Sequence, residues 1–206
     1  MVWMTSKDSP DTGDSAKMDM LGDDDSNNRV ESANNKIYFY SEVVRPKILT
    51  LNKKIVQLNV SLKNQVNSLG LSEPQANIKL HINSYGGSVF AGFAAADYIK
   101  SSDIPVTSII DGCAASAATM MSIVAEERYM RETSFMLIHQ LSAGSWGKFE
   151  ELRDDMTNNE LLMKTIKEIY AKYTKIPRKK LAQLLQRDLW WNAQTCLEYG
   201  LIDDII

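Results

Sequence analysis

A chain of 206 residues with 44% hydrophobic content can build one domain with a sizeable core. Its net charge of −3 argues against a general nucleic-acid binder, and no apolar run approaches the roughly 20 residues of a membrane span. Cys113 and Cys196 are isolated and form no CxxC pair, so neither a metal site nor a disulfide framework is indicated.

Residues 1–35 are rich in Asp, Ser, Asn and Gly and read as a flexible acidic and polar tail. The start of the chain shows no signal-peptide pattern, so a cytoplasmic protein is expected. The remainder, 36–206, reads as one domain. Ile37 to Tyr40 is a first strand. From Pro46, the residues Ile48, Leu51, Ile55, Leu58, Leu62, Val66 and Leu69 recur at three- and four-residue spacing. They predict a long amphipathic helix closed near Gly70.

Ile78 to Ile82 is a strand, Asn83 to Ser88 a tight turn with two glycines, and Val89 to Lys100 an Ala-rich helix. Val106 to Ile110, the β-branched end of the next strand, feeds the stretch Asp111-Gly112-Cys113-Ala114-Ala115-Ser116. A helix over Ala117 to Ala125 follows. This β-α-β-α-β-α order implies an α/β fold with a mostly parallel sheet. Arg128 to Met130 and Phe135 to Ile138 read as short strands, followed by a loop around Trp146. Phe149 to Lys175 reads as a long helix, and Pro177 begins a shorter one ending near Arg187. Arg178-Lys179-Lys180 reads as a solvated helix face. The final run, Cys196 to Asp203, reads as a helix end, a Gly cap and a short strand.

A Ser at a strand-to-helix turn lies beside unpaired backbone N–H groups, among small neighbours that let a substrate approach. Ser116 fits that description, and it equally fits a cap on a buried helix. A nucleophile needs a base, and the base needs an orienting acceptor. Of the two histidines, His81 lies inside a strand and reads as structural. His139 ends the strand from Phe135 and can project beyond the sheet. Asp188 precedes Leu189-Trp190-Trp191, apolar bulk able to shield a carboxylate, although alone it reads as a surface residue. Gly87, in the Gly86-Gly87 turn, and Ala117 can each offer a backbone N–H to an oxyanion.

These segments resemble a known family in order. Ile82-Asn83-Ser84-Tyr85-Gly86-Gly87-Ser88 resembles the INSPGG turn of Clp protease proteolytic subunits. Gly112-Cys113-Ala114-Ala115-Ser116 resembles their GQAAS motif, and Met136-Leu137-Ile138-His139-Gln140 their MIHQP segment. Gln186-Arg187-Asp188 and Glu198-Tyr199-Gly200-Leu201-Ile202-Asp203 resemble their ERD and EYGLVD ending.

The resemblance implies the fold these proteins share with crotonases, a spiral of β-α-β units with a protruding handle helix. It implies Ser116 as nucleophile, His139 as base and Asp188 as orienting acid, with Gly87 and Ala117 at the oxyanion hole. Gly86, Leu141, Ser142 and Ala143 fall on substrate-binding positions, and Gln186 and Arg187 on an oligomer contact. It further implies peptide and unfolded-protein substrates, self-association into seven-membered rings, singly or in pairs, and an AAA+ Clp ATPase partner. ATP is used by that partner, and this chain needs no cofactor of its own. Four residues depart from the family pattern: Tyr85 and Leu141 stand at Pro positions, Cys113 at a Gln and Gln186 at a Glu. Two other readings are a ring subunit without activity and a crotonase-type acyl-CoA enzyme.

Overall fold

The computed structural model describes residues 29–70 and 76–206. The strands are β1 (Arg29–Ala33), β2 (Lys36–Tyr40), β3 (Ile78–Ser84), β4 (Val106–Ala115), β5 (Glu127–Met130), β6 (Phe135–Leu137), β7 (Trp190–Asn192) and β8 (Asp204–Ile205). The helices are α1 (Arg45–Ser68), α2 (Val89–Lys100), α3 (Ala117–Ile123), α4 (Phe149–Tyr173), α5 (Arg178–Leu184) and α6 (Ala193–Glu198). The strands form one sheet in the order β1-β2-β3-β4-β5-β8, with β6 paired to β4 and β7 to β6. β2 through β5 and β8 run parallel, as do β4 and β6. β1 pairs antiparallel with β2, and β7 with β6. The α/β class expected from the sequence is the class observed.

Alternation within the strands builds the core. Ile37 and Phe39 of β2, Ile78, Leu80 and Ile82 of β3, and Ile110 of β4 are all fully buried. They join α1 residues Leu51 and Ile55 and α2 residues Ala91, Ala95 and Ile99 in one cluster. Each large aliphatic side chain taken from water there contributes about 1.5–3 kcal/mol. The intervening residues Tyr38, Tyr40, His81 and Asp111 point to the opposite face of the sheet.

Several boundaries differ from the sequence reading. Arg29–Ala33, placed in the tail, forms β1 on the edge of the sheet, while residues 1–28 lie outside the described ones. β4 runs through the small residues to Ala115 instead of ending at Ile110. Opposite β3, its register jumps from Ile82↔Ile110 to Ser84↔Ala114, so β4 carries two extra residues there. Before this bulge β4 pairs with β5, and after it with β6. The bulge therefore turns the strand from one neighbour to the other. Trp190 and Trp191, read as shielding bulk, lie in β7. The last strand is Asp204–Ile205, just after the predicted run. Among the described residues no helix is long and apolar enough to cross a membrane.

Candidate active site

Ser116 sits between β4 and α3 with φ 54° and ψ −125°, a conformation that costs a non-glycine residue about 1–3 kcal/mol. The surroundings hold it there. Its N–H donates to Leu137 O of β6 at 2.8 Å, and its carbonyl accepts from Thr119 N at 3.0 Å and Thr119 Oγ1 at 2.6 Å. Thr119 Oγ1, its own proton given to Ser116 O, accepts in turn from Tyr170 OH of α4. Tyr170 is fully buried, and burial pushes its phenol far above its ordinary pKa, so it remains a neutral donor. In the sequence Tyr170 is one residue of the long helix read over Phe149 to Lys175, with no signal that its hydroxyl reaches the Ser116 turn. Its hydroxyl is what ties α4 to the turn.

Gly86 and Gly87 follow β3 with φ of +96° and +146°. A Cβ on Gly86 would stand 2.7 Å from Ser116 Cβ and 2.6 Å from Ala115 O, so only glycine lets the two turns meet. Gly86 O accepts from Val43 N at 2.7 Å, and Ser88 N donates to Val43 O at 2.8 Å, which anchors the turn to the segment leaving β2.

One cavity of about 340 Å³ collects most of the sequence-predicted residues. Ser116, Ala117, Gly87, His139, Leu141, Ser142 and Ala143 all line it, and Tyr170 closes one side. Gly86 does not line it but packs underneath. A larger cavity of about 720 Å³ between α4 and α5 shares Gln140, Leu141, Ala143 and Asn159 with the first, and Gln186 reaches it. Leu141 N donates to Met163 Sδ of α4 at 3.0 Å, holding this loop against the helix.

His139 lies two residues beyond the end of β6, in an irregular segment, with its side chain 24% exposed. Its Nδ1 is 3.7 Å from Asp188 Oδ1, and no hydrogen bond joins it to Ser116 Oγ. The expectation of a shielded carboxylate fails: the Asp188 side chain is 79% exposed, and Leu189 and Trp190 are themselves half open to solvent. Asp188 follows α5 on an outward turn, and β7 carries the tryptophans past it. Gln186 and Arg187 are exposed on that same turn. His81, as expected, is buried in β3. Cys113 and Cys196 are free and buried. Burial raises both thiols above the usual range, Cys196 to about 12, so neither offers a thiolate.

Comparison with known proteins identifies the family to which the fold belongs. A family profile described as Clp protease matches residues 31–206. The chain is 31% identical over 170 residues to an ATP-dependent Clp protease proteolytic subunit of Deinococcus radiodurans, covering 81% of this chain and 83% of that one. It is 38% identical over 144 residues to ATP-dependent Clp protease proteolytic subunit 1 of Chlamydia caviae, covering 67% and 74%. A solved structure of a ClpP1 mutant from Listeria monocytogenes matches with a TM-score of 0.72 at 22% identity, over 84% of this chain and 91% of that one. At that identity the match speaks for the fold alone. With motifs in order, a shared fold and a profile spanning nearly all the described residues, the chain belongs to the Clp protease family of proteolytic subunits.

Proposed function

We propose that this chain is a serine endopeptidase that cleaves peptides and unfolded proteins through Ser116, His139 and Asp188. The observation that carries the reading is the strained Ser116 turn opening into one cavity with His139, Gly87 and Ala117. Ser116 Oγ attacks the scissile carbonyl while His139 takes its proton. The Gly87 and Ala117 N–H groups receive the oxyanion, and His139 returns the proton to the leaving amine. Water, activated by the same imidazole, then releases the acyl group. Asp188 orients His139 through Nδ1. Its 3.7 Å separation is looser than a hydrogen bond and tightens when substrate is held, as unliganded catalytic contacts commonly do. The Leu141-Ser142-Ala143 segment along the cavity wall binds extended substrate.

The outer half of α4 supports assembly. Phe149, Leu152, Met156 and Leu161 are exposed, and Trp146 before them is wholly so. Such apolar surface marks an interface. In this reading copies of the chain form a ring, of seven subunits or two stacked sevens, with Gln186 and Arg187 at the contact between rings. An AAA+ Clp ATPase supplies unfolded chains and uses the ATP, and the peptidase chain holds neither metal nor cofactor. The setting is cytoplasmic, and β1 (Arg29–Ala33) belongs to the sheet of the peptidase domain.

The exposure of Asp188 favours one rival, a ring subunit without its own activity. Peptide hydrolysis by the parent and by Ser116→Ala separates them. The peptidase reading expects turnover that falls by several orders of magnitude in the variant. Equal rates in both proteins would favour the inactive subunit.

A further inference from the structure

Away from the cavity, a single carboxylate ties four neighbouring strands together. Asp111 Oδ2 accepts from His81 Nδ1 of β3 at 2.6 Å and from Tyr40 OH at the end of β2 at 3.0 Å. Asp111 Oδ1 accepts from Nε of Arg131, the residue after β5, at 3.0 Å. The His81 side chain is only 6% exposed and stacks on Tyr38 at 4.8 Å. Its Nε2 is buried with no hydrogen-bond partner among the described residues, so this imidazole is committed to Asp111 through Nδ1. Burial raises the Asp111 pKa, but hydrogen bonds from His81, Arg131 and Tyr40 outweigh that and leave it below its ordinary value.

Asp111 also occupies the bulge of β4. Its neighbour Gly112 has φ +88° and donates its N–H to Ser134 Oγ at 2.7 Å, while that hydroxyl donates to Ile110 O at 3.1 Å. Ser134 therefore staples the bulge from one side, and Asp111 pins it from the other. From this point β4 leaves β5, joins β6 and reaches Ser116 five residues on, with Ser116 N bonded to Leu137 O. β2 beyond Tyr40 leads to Val43, which holds the Gly86-Gly87 turn, and β6 leads to His139. Two of the three donors on Asp111, Tyr40 and His81, thus stand on strands that lead to the Gly86-Gly87 turn, while Arg131 ties Asp111 to the end of β5.

We propose that Asp111 is the positioning residue for Ser116, fixing the β4 bulge so that the Ser116 turn keeps its strained geometry relative to His139 and Gly87. The inference rests on the assignment of Ser116 as nucleophile. It differs from a merely structural role, which would hold the sheet together without setting the reaction rate.

The test uses the full chain with Asp111→Ala and Asp111→Asn, studied well below their unfolding temperatures. Two readouts are taken: peptide hydrolysis, and amide hydrogen exchange over residues 112–118 against α1 as internal reference. In Asp111→Ala we expect kcat to fall at least tenfold with KM within twofold. Exchange over 112–118 should quicken at least tenfold while α1 stays unchanged. Asp111→Asn, which keeps an acceptor for His81 but not the charge facing Arg131, should fall between. A folded Asp111→Ala with kcat and exchange within twofold of the parent, or with only a lowered Tm, overturns the proposal. Should Asp111→Ala not fold, Tyr40→Phe removes one donor at the surface. A two- to fivefold loss of kcat then supports the proposal, and an unchanged kcat overturns it. If the parent hydrolyses no peptide, the functional reading fails by itself. The exchange result then decides alone whether Asp111 fixes the Ser116 turn.

Discussion

Gly86 lies directly beneath Ser116, so close that a Cβ on Gly86 would stand 2.7 Å from Ser116 Cβ. Gly86→Ala also has to place an L side chain at φ +96°. Overpacking and backbone strain together should cost about 2–4 kcal/mol of stability. In protein that still folds, displacement of Ser116 should lower kcat by roughly 100-fold, because misplacement near 1 Å has that scale. Urea denaturation and peptide kinetics on the same preparation check both figures.

The strain at Ser116 gives a second expectation. Glycine tolerates φ 54° and alanine does not. Ser116→Gly should therefore be about 1 kcal/mol more stable than Ser116→Ala, although glycine is ordinarily the more costly residue. Both should lack peptidase activity. Denaturant midpoints that place Ser116→Ala above Ser116→Gly would contradict the strained turn.

The fold was legible in outline because the core strands are β-branched runs with alternate burial and the helices have three- and four-residue apolar spacing. The end of β4 was not. Gly112-Cys113-Ala114-Ala115 has weak strand propensity, and pairing with β6 imposes the strand on it. In the candidate site, the motif residues around Ser116 and His139 reach one cavity as the sequence suggested. The shielding of Asp188 was not legible, because tryptophans nearby in sequence do not imply cover in space. β7 carries Trp191 inward and leaves Asp188 on an exposed turn. The Asp111 network was invisible, since His81 and Arg131 lie 30 and 20 residues away from it and only parallel register brings them together.

The C-terminus should be the acid-labile part of the fold. Arg128 of β5 holds Asp203 through Nε at 3.0 Å and through Nη2, and its Nη1 donates to Tyr173 O and Gly200 O. Burial raises the Asp203 carboxyl, but the hydrogen bonds and charge of Arg128 outweigh it and hold the pKa below 3.8. A depressed folded pKa contributes stability that is fully present above the unfolded value and is lost as pH falls through the folded value. Asp203→Asn should therefore be less stable than the parent at pH 7, with the difference shrinking below about pH 4. Thermal melts from pH 7 to pH 2 measure this. A difference that stays constant with pH would show that the carboxylate charge is not what matters.

Assembly should depend on the exposed apolar half of α4. Met156 and Leu161 are 60% and 61% exposed, so glutamate at either position leaves the core of a single chain untouched. Native mass spectrometry of the parent should give a ring mass. Met156→Glu and Leu161→Glu should shift it toward smaller species with a chain that still folds. A parent that is monomeric at working concentration would contradict the assembly reading.

The claim that Ser116 is an activated nucleophile has a direct test in fluorophosphonate labelling followed by mass spectrometry of the digested protein. The account predicts one adduct, on Ser116. It should be absent from Ser116→Ala and formed at least 100-fold more slowly in His139→Ala, where no base accepts the proton. No adduct on the folded parent, or labelling of His139→Ala at the parent's rate, would contradict it.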